Sequence, residues 1–293
     1  MQQPPDLPSV SALESRAVWV QRGEHRISAR DYRGEGPPIV LLHGFPDNSH
    51  LYDRLVPCLT PPRRVVTFDF LGWGNSEKPE RYPYTATNQT GDLDAVIDQL
   101  GAEQVVLVAH DASGPPAIDW ALGNPERVAA LVLLNTYYAL MKGLRRPQVI
   151  SLYSTPILRN LARLVVSRSD SLDQALFRWQ VGRFIEDPAI REEFVPQLYS
   201  GFRAARPAFW SLNNDLLPTV LSRRRMIPRM REFGRPVRII FGARDPYLNT
   251  RVAKRFHELF PSSELFLLPD ARHYLQVDKP KQVADLILST PIG

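Results

Sequence analysis

The chain has 293 residues, 44% of them hydrophobic, enough for one large α/β domain with an inserted subdomain. Lys and Arg total 36 against 31 Asp and Glu, a net charge of +5, but the basic clusters Arg145-Arg146 and Arg223-Arg224-Arg225 are short and lack interleaved aromatics. They read as solvated helical faces, and no nucleic-acid partner is expected. Cys58 is the single cysteine, which excludes an intrachain disulfide and fits a reducing compartment.

The amino-terminal stretch, residues 1–12, is Pro-rich and reads as an arm, with neither the basic nor the apolar region of a secretory signal. No apolar run approaches the ~18 residues a membrane span requires, so a cytoplasmic chain without membrane insertion is expected. R-A-V-W-V-Q-R-G and H-R-I-S-A-R-D-Y then predict two short alternating strands parted near Gly23. P-P-I-V-L-L-H-G and R-V-V-T-F-D-F are continuous apolar runs. The next segment, to Leu100, is helical, with Leu93, Val96, Ile97 and Leu100 on one stripe and Gly101 as the stop. Q-V-V-L-V-A-H-D, the helix A-I-D-W-A-L-G-N-P and the run V-A-A-L-V-L-L-N-T follow. From 138 to 234 no strand pattern is present, and prolines at 147, 156, 188, 196, 207, 218 and 228 divide the segment into short helices. P-V-R-I-I-F-G-A-R-D, the helix R-V-A-K-R-F-H-E-L-F-P, S-E-L-F-L-L-P-D and a last helix close the chain. Runs apolar on both faces, alternating with helices, predict a mostly parallel sheet covered on both sides.

In such sheets ligands bind beyond the carboxyl ends of the strands. The residues there are His43-Gly44-Phe45-Pro46-Asp47, His110-Asp111, Arg244-Asp245, and Pro269-Asp270 followed by His273. Asp111, Asp245 and His273 thus arrive at one edge from three separate strands. Taken singly, Asp111 is equally a helix N-cap, Asp245 a turn former before Pro246, and His273 a cap of the final helix. His43 and His110 read as loop-shaping residues, and Asp69 as a support for L-G-W-G-N-S.

The motifs His43-Gly44-Phe45-Pro46, F-D-F-L-G-W-G-N-S-E-K-P, A-H-D-A-S, F-G-A-R-D and A-R-H-Y resemble the α/β-hydrolase fold family over about residues 15 to 290. The elbow pattern of that family is small-x-nucleophile-x-small, and here Ala109, Asp111 and Ser113 fill it. An aspartate at the centre resembles the branch of epoxide hydrolases and haloalkane dehalogenases. The resemblance implies an eight-stranded sheet, with 1–137 and 235–293 as core and 138–234 as an inserted helical cap. It implies Asp111 as nucleophile, His273 as general base and Asp245 as the acid that orients it. The backbone N–H groups of Phe45 and Ala112 are the implied oxyanion donors, and Pro46 the implied site of a cis bond. A carboxylate is already ionised at neutral pH and can attack a saturated carbon without a base, whereas a serine cannot. Ser113 as nucleophile would put Asp111 and Pro115 where the elbow needs small residues.

The leaving group divides the branch. An epoxide needs hydroxyl donors, which cap tyrosines supply in the family; a halide needs indole or amide N–H groups. Phe45 and Ala112 occupy the usual halide-donor positions and have no side-chain donor, which favours epoxide opening to a vicinal diol. Tyr153, 42 residues after Asp111, matches the first cap tyrosine. At the second position the stretch A-F-W-S-L-N-N-D offers Trp210 and Asn213 instead, with Tyr199 upstream. Trp210 as a donor keeps dehalogenation as the alternative, and a non-catalytic small-molecule binder is the second. No cofactor and no metal are expected. The partners expected are a small hydrophobic organic substrate and water, in a monomer or homodimer.

Overall fold

The computed structural model describes residues 8–155, 158–161, 164 and 168–293. Residues 1–7 of the expected arm, and Pro156, lie outside the described residues; residues Val10–Ala12 form one turn of 3₁₀ helix.

Eight strands form one sheet: β1 (Ser15–Arg22), β2 (His25–Tyr32), β3 (Glu35–Leu42), β4 (Arg63–Phe68), β5 (Val105–Asp111), β6 (Val128–Thr136), β7 (Val237–Gly242) and β8 (Ser263–Leu268). Their order is β1-β2-β4-β3-β5-β6-β7-β8. β1 and β2 form an antiparallel ribbon, β2 runs antiparallel to β4, and every pairing from β4 to β8 is parallel. The apolar runs become the central strands: every residue of β5, β6 and β7 is buried, as strands covered on both faces require. β1, at one edge, alternates and leaves Trp19 exposed.

The helix α1 (Ala86–Leu100) buries Leu93, Val96 and Ile97 against the sheet and ends on Gly101, whose φ of +59° suits a left-handed stop. α2 (Gly114–Gly123) leaves the end of β5, with Pro115 and Pro116 in its first turn, where the missing N–H groups lose no helical bond.

Between β6 and β7 the described regular elements are helical: α3 (Gln148–Ser154), α4 (Asp170–Val181), α5 (Pro188–Ser222) and α6 (Ile227–Glu232), besides two short 3₁₀ turns and the helical residues 158–161. The expectation that prolines cut this segment into short helices fails for α5. It runs 35 residues straight through Pro196, Pro207 and Pro218. The three prolines recur every 11 residues, so they fall on one line of the helix, and all are exposed. The carbonyls they leave unpaired belong to Glu192, Arg203 and Asn214, also exposed residues, where water can satisfy them. The opposite face buries Phe202, Phe209, Leu212 and Val220. No described helix is long and apolar enough to cross a membrane.

Candidate active site

The carboxyl ends of β3, β5, β6 and β7 meet at one edge. β5 ends at Asp111, whose φ is +51°. A non-glycine residue in that left-handed region stores about 1–3 kcal/mol of strain, held here by its surroundings. Ser113 supplies part of the hold. Its Oγ lies 2.9 Å from the Leu42 carbonyl and 2.8 Å from the His110 carbonyl, and accepts the His110 N–H at 2.9 Å. The hydroxyl is turned into the core and ties β5 to β3.

The Asp111 carboxylate has two unlike oxygens. Oδ2 accepts the Phe45 N–H at 3.1 Å, and the backbone N–H of Ala112 lies near enough to favour the ionised carboxylate. Oδ1 faces His273 Nε2 at 3.8 Å. The Phe45 N–H reaches so close because residue 44 is glycine: a Cβ there would lie 2.6 Å from Asp111 Cβ. The Phe45-Pro46 bond is cis.

His273 follows β8, and its Nδ1 donates to Asp245 Oδ2 at 2.7 Å. Asp245 is held on every side. Its Oδ1 accepts the N–H groups of Tyr247 and Leu248 at 2.8 and 3.1 Å, and its Oδ2 also accepts Asn135 Nδ2 at 2.9 Å. Asn135, at the end of β6, accepts the Gly242 N–H on its own Oδ1 at 2.6 Å, bracing the β7 turn that carries Asp245. Sequence reasoning does not single out Asn135. Its signal was the same as that of Asp111 and Asp245: an apolar strand ending in a polar residue at this edge.

Burial alone would raise the Asp245 carboxyl, but the charge and hydrogen bond of His273 and the two N–H groups outweigh it and hold it below the usual range. For Asp111 burial wins, and its carboxyl stays above the ordinary value despite His273, Phe45 and Ala112. Burial would lower His273, yet Asp245, then Asp111 and Asp47, raise it to about 9. Asp47, buried and bonded by the Tyr274 hydroxyl at 2.6 Å, is pushed by burial up to about 7. His43 and His110 are spent on the backbone: His43 Nε2 accepts from Phe70 N at 3.1 Å and its Nδ1 donates to Gly44 O, while His110 Nε2 donates to His273 O at 3.0 Å. Asp69 accepts the N–H groups of Ser49 and Asn75 and so braces the loop after β4.

A cavity of about 240 Å³ opens over Asp111 and His273, between the sheet edge and the helices that follow β6. Its wall is mostly apolar, with Phe45, Val149, Phe177, Phe202, Phe209 and Val220 among its residues. Tyr153 lines it, as expected. Tyr137, just past β6 and absent from the sequence expectations, lines it too. Neither tyrosine hydroxyl makes a hydrogen bond among the described residues, and Tyr137 lies near enough to Asp111 to be raised by its charge as well as by burial.

Two expected donors are not brought to this wall. Tyr199 turns its hydroxyl to Asp173 Oδ2 at 3.0 Å, where Arg206 also binds. Trp210 packs edge-on against Tyr153, ring centres 4.6 Å apart, behind the cavity lining. Asn213 is buried outside the lining as well. The physical reason is the unbroken α5, whose turns assign these side chains to fixed faces.

The profile of the alpha/beta hydrolase fold family matches residues 37–280. Haloalkane dehalogenase 2 of Mycobacterium tuberculosis is 28% identical, over 96% of each chain. Among solved structures, the haloalkane dehalogenase DatA from Agrobacterium tumefaciens C58 superposes with a TM-score of 0.79 at 24% identity, covering 93% of this chain and 94% of that one. The epoxide hydrolase CorEH superposes at 0.76 and 21% identity, covering 94% and 98%. With that match spanning most of the chain, and with the eight-stranded sheet and its elbow after β5 in place, the chain belongs to the alpha/beta hydrolase fold family.

Proposed function

We propose that the protein hydrolyses a small apolar substrate through an ester on Asp111, and that the reaction is the opening of an epoxide to a vicinal diol. The observation that carries this reading is the pair of tyrosines, Tyr153 and Tyr137, whose hydroxyls bond no other described residue, in an apolar cavity that also holds Asp111 and His273. Residues 138–234 act as the cap, and 1–137 with 235–293 as the core.

Asp111 Oδ1 attacks an epoxide carbon, and the C–O bond of the ring breaks. A tyrosine hydroxyl protonates the departing alkoxide, and the His273 imidazolium replaces that proton through water, which leaves His273 neutral. Ester formation also removes the Asp111 charge that helps to raise His273, so the imidazole becomes a free base when one is needed. His273 Nε2 then takes a proton from water, and the hydroxide attacks Asp111 Cγ. Oδ2, already bonded by Phe45, becomes the oxyanion. On collapse the Oδ1–Cγ bond breaks, the new carboxylic acid gives its proton to the alkoxide, and the diol leaves. Asp245 keeps a proton on His273 Nδ1 throughout, so that Nε2 is the nitrogen that gains and loses one.

Carbon–halogen cleavage is the second reading, favoured by the full-length likeness to haloalkane dehalogenase 2. In a screen of epoxides, alkyl halides and esters, His273→Gln should accumulate a covalent adduct on Asp111, seen by intact mass. An opened epoxide keeps its oxygen in the adduct and an alkyl halide loses its halogen, so the mass separates the two. Turnover without any adduct would sink the ester mechanism. Inertness to every class, with ligand binding kept in Asp111→Ala, would point to a binder instead.

A further inference from the structure

Charge is not spread evenly along this chain. Residues 138–234 hold 16 Lys and Arg against 8 Asp and Glu, a net +8, while the rest of the chain holds 20 against 23, a net −3. The bias is strongest from Leu140 to Ser169, where six basic residues occur and no acidic one. Exposed apolar side chains gather in the same segment. Of eleven large ones that stand exposed among the described residues, eight lie between 138 and 234.

Several of these belong to one face, at the mouth of the cavity. Leu140 and Leu217 line the cavity and are each 53% exposed, so they stand where it meets solvent. Leu221 is one turn beyond Leu217 on α5, and the Leu140 N–H bonds the Val220 carbonyl. Arg159 Nη1 donates to Asn214 Oδ1 at 2.6 Å, which ties the helical residues 158–161, with exposed Leu158 and Leu161, to the same stretch of α5. Arg145 and Arg146 line the same mouth and are exposed, and no carboxylate of the described residues pairs with either; Arg146 donates to Ser154 Oγ at 3.2 Å. Asp215, the single carboxylate of α5 beyond Glu193, accepts from Thr219. An exposed apolar patch framed by unpaired cations is complementary to a surface with an apolar interior and anionic heads.

We propose that this face of the cap docks on an anionic phospholipid bilayer, with the cavity mouth against the lipid. An apolar substrate would then pass from the bilayer to the cavity without crossing water. Docking does not depend on the chemistry proposed for Asp111, and its test needs no turnover.

The test is co-sedimentation of the full chain with vesicles of phosphatidylcholine alone and of phosphatidylcholine with phosphatidylglycerol. Partition to the anionic vesicles is expected, falling as salt is raised. Arg145→Glu with Arg146→Glu should weaken it about tenfold or more, since one cation near an anionic leaflet contributes about fivefold. Lys254→Glu with Lys281→Glu makes the same charge change on exposed residues of the core and should weaken it much less. Leu161→Ser with Leu221→Ser tests the apolar part and should also release the protein, with circular dichroism confirming the fold of each variant. Equal losses in the two charge-reversed pairs would reduce the effect to bulk charge and overturn the proposal. So would no binding to anionic vesicles, or a dimer in solution that only the leucine variant dissolves.

Discussion

At Asp111 the two carboxylate oxygens stand in different surroundings, and that asymmetry is what a two-step ester mechanism needs: Oδ2 accepts the Phe45 N–H, while Oδ1 faces His273. Asn135 bears on His273 at one remove, through its bond to Asp245 Oδ2. Asn135→Ala would leave the Gly242 N–H and the Leu248 carbonyl without this partner and remove one of two donors to Asp245 Oδ2. A loss of about 1–3 kcal/mol in stability and about tenfold or more in kcat is expected, because small displacements of the proposed base are costly. With one donor fewer, Asp245 pulls harder on the imidazolium. The acid limb of the pH–rate profile should therefore move upward, which a purely structural loss would not produce. Melting curves and pH-dependent kinetics check both parts. Asp111, Asp245 and His273 were legible in the sequence because each follows a recognisable strand. Tyr137 was not, because nothing in L-N-T-Y-Y-A-L tells which tyrosine faces a cavity roofed by distant helices.

Two elements place the carboxylate, the strained turn after β5 and the loop after β3. They fit only because Gly44 has no side chain. In Gly44→Ala the new methyl would meet Asp111 Cβ at 2.6 Å and Oδ2 at 2.8 Å, so loop and carboxylate must separate. Loss of the Phe45 donor should lower kcat by about 10²–10³ while far-UV circular dichroism stays unchanged; steady-state kinetics decide it. The helix α5 teaches the converse lesson. Its prolines are strong local breakers, yet their solvent-facing line and the buried stripe opposite let tertiary packing override them. Helix ends that depend only on local capping, such as Gly101 after α1, were readable from the sequence.

Over the whole molecule, the buried charges couple stability to pH. His273 is raised to about 9 in the folded chain, against about 6.5 when unfolded. The folded state therefore holds the proton more tightly. The stabilisation from this group is complete below about pH 6.5 and is lost as pH rises toward 9. At most about 3 kcal/mol is involved. The stability gap between the parent and His273→Gln should accordingly be largest near pH 6 and shrink by pH 9.5, measured by urea unfolding. A gap constant across that window would mean that His273 is not held as an imidazolium.

The alternation of apolar runs and helical stripes was enough by itself to determine the sheet, its mostly parallel sense and the edge at which Asp111, Asp245 and His273 converge, because burial on both faces leaves its mark residue by residue. Which tyrosines line the cavity, how Asn135 braces Asp245 and where the basic, leucine-rich face opens were decided only by tertiary structure. Those features depend on the rotation and packing of helices that are remote in sequence from the residues they meet.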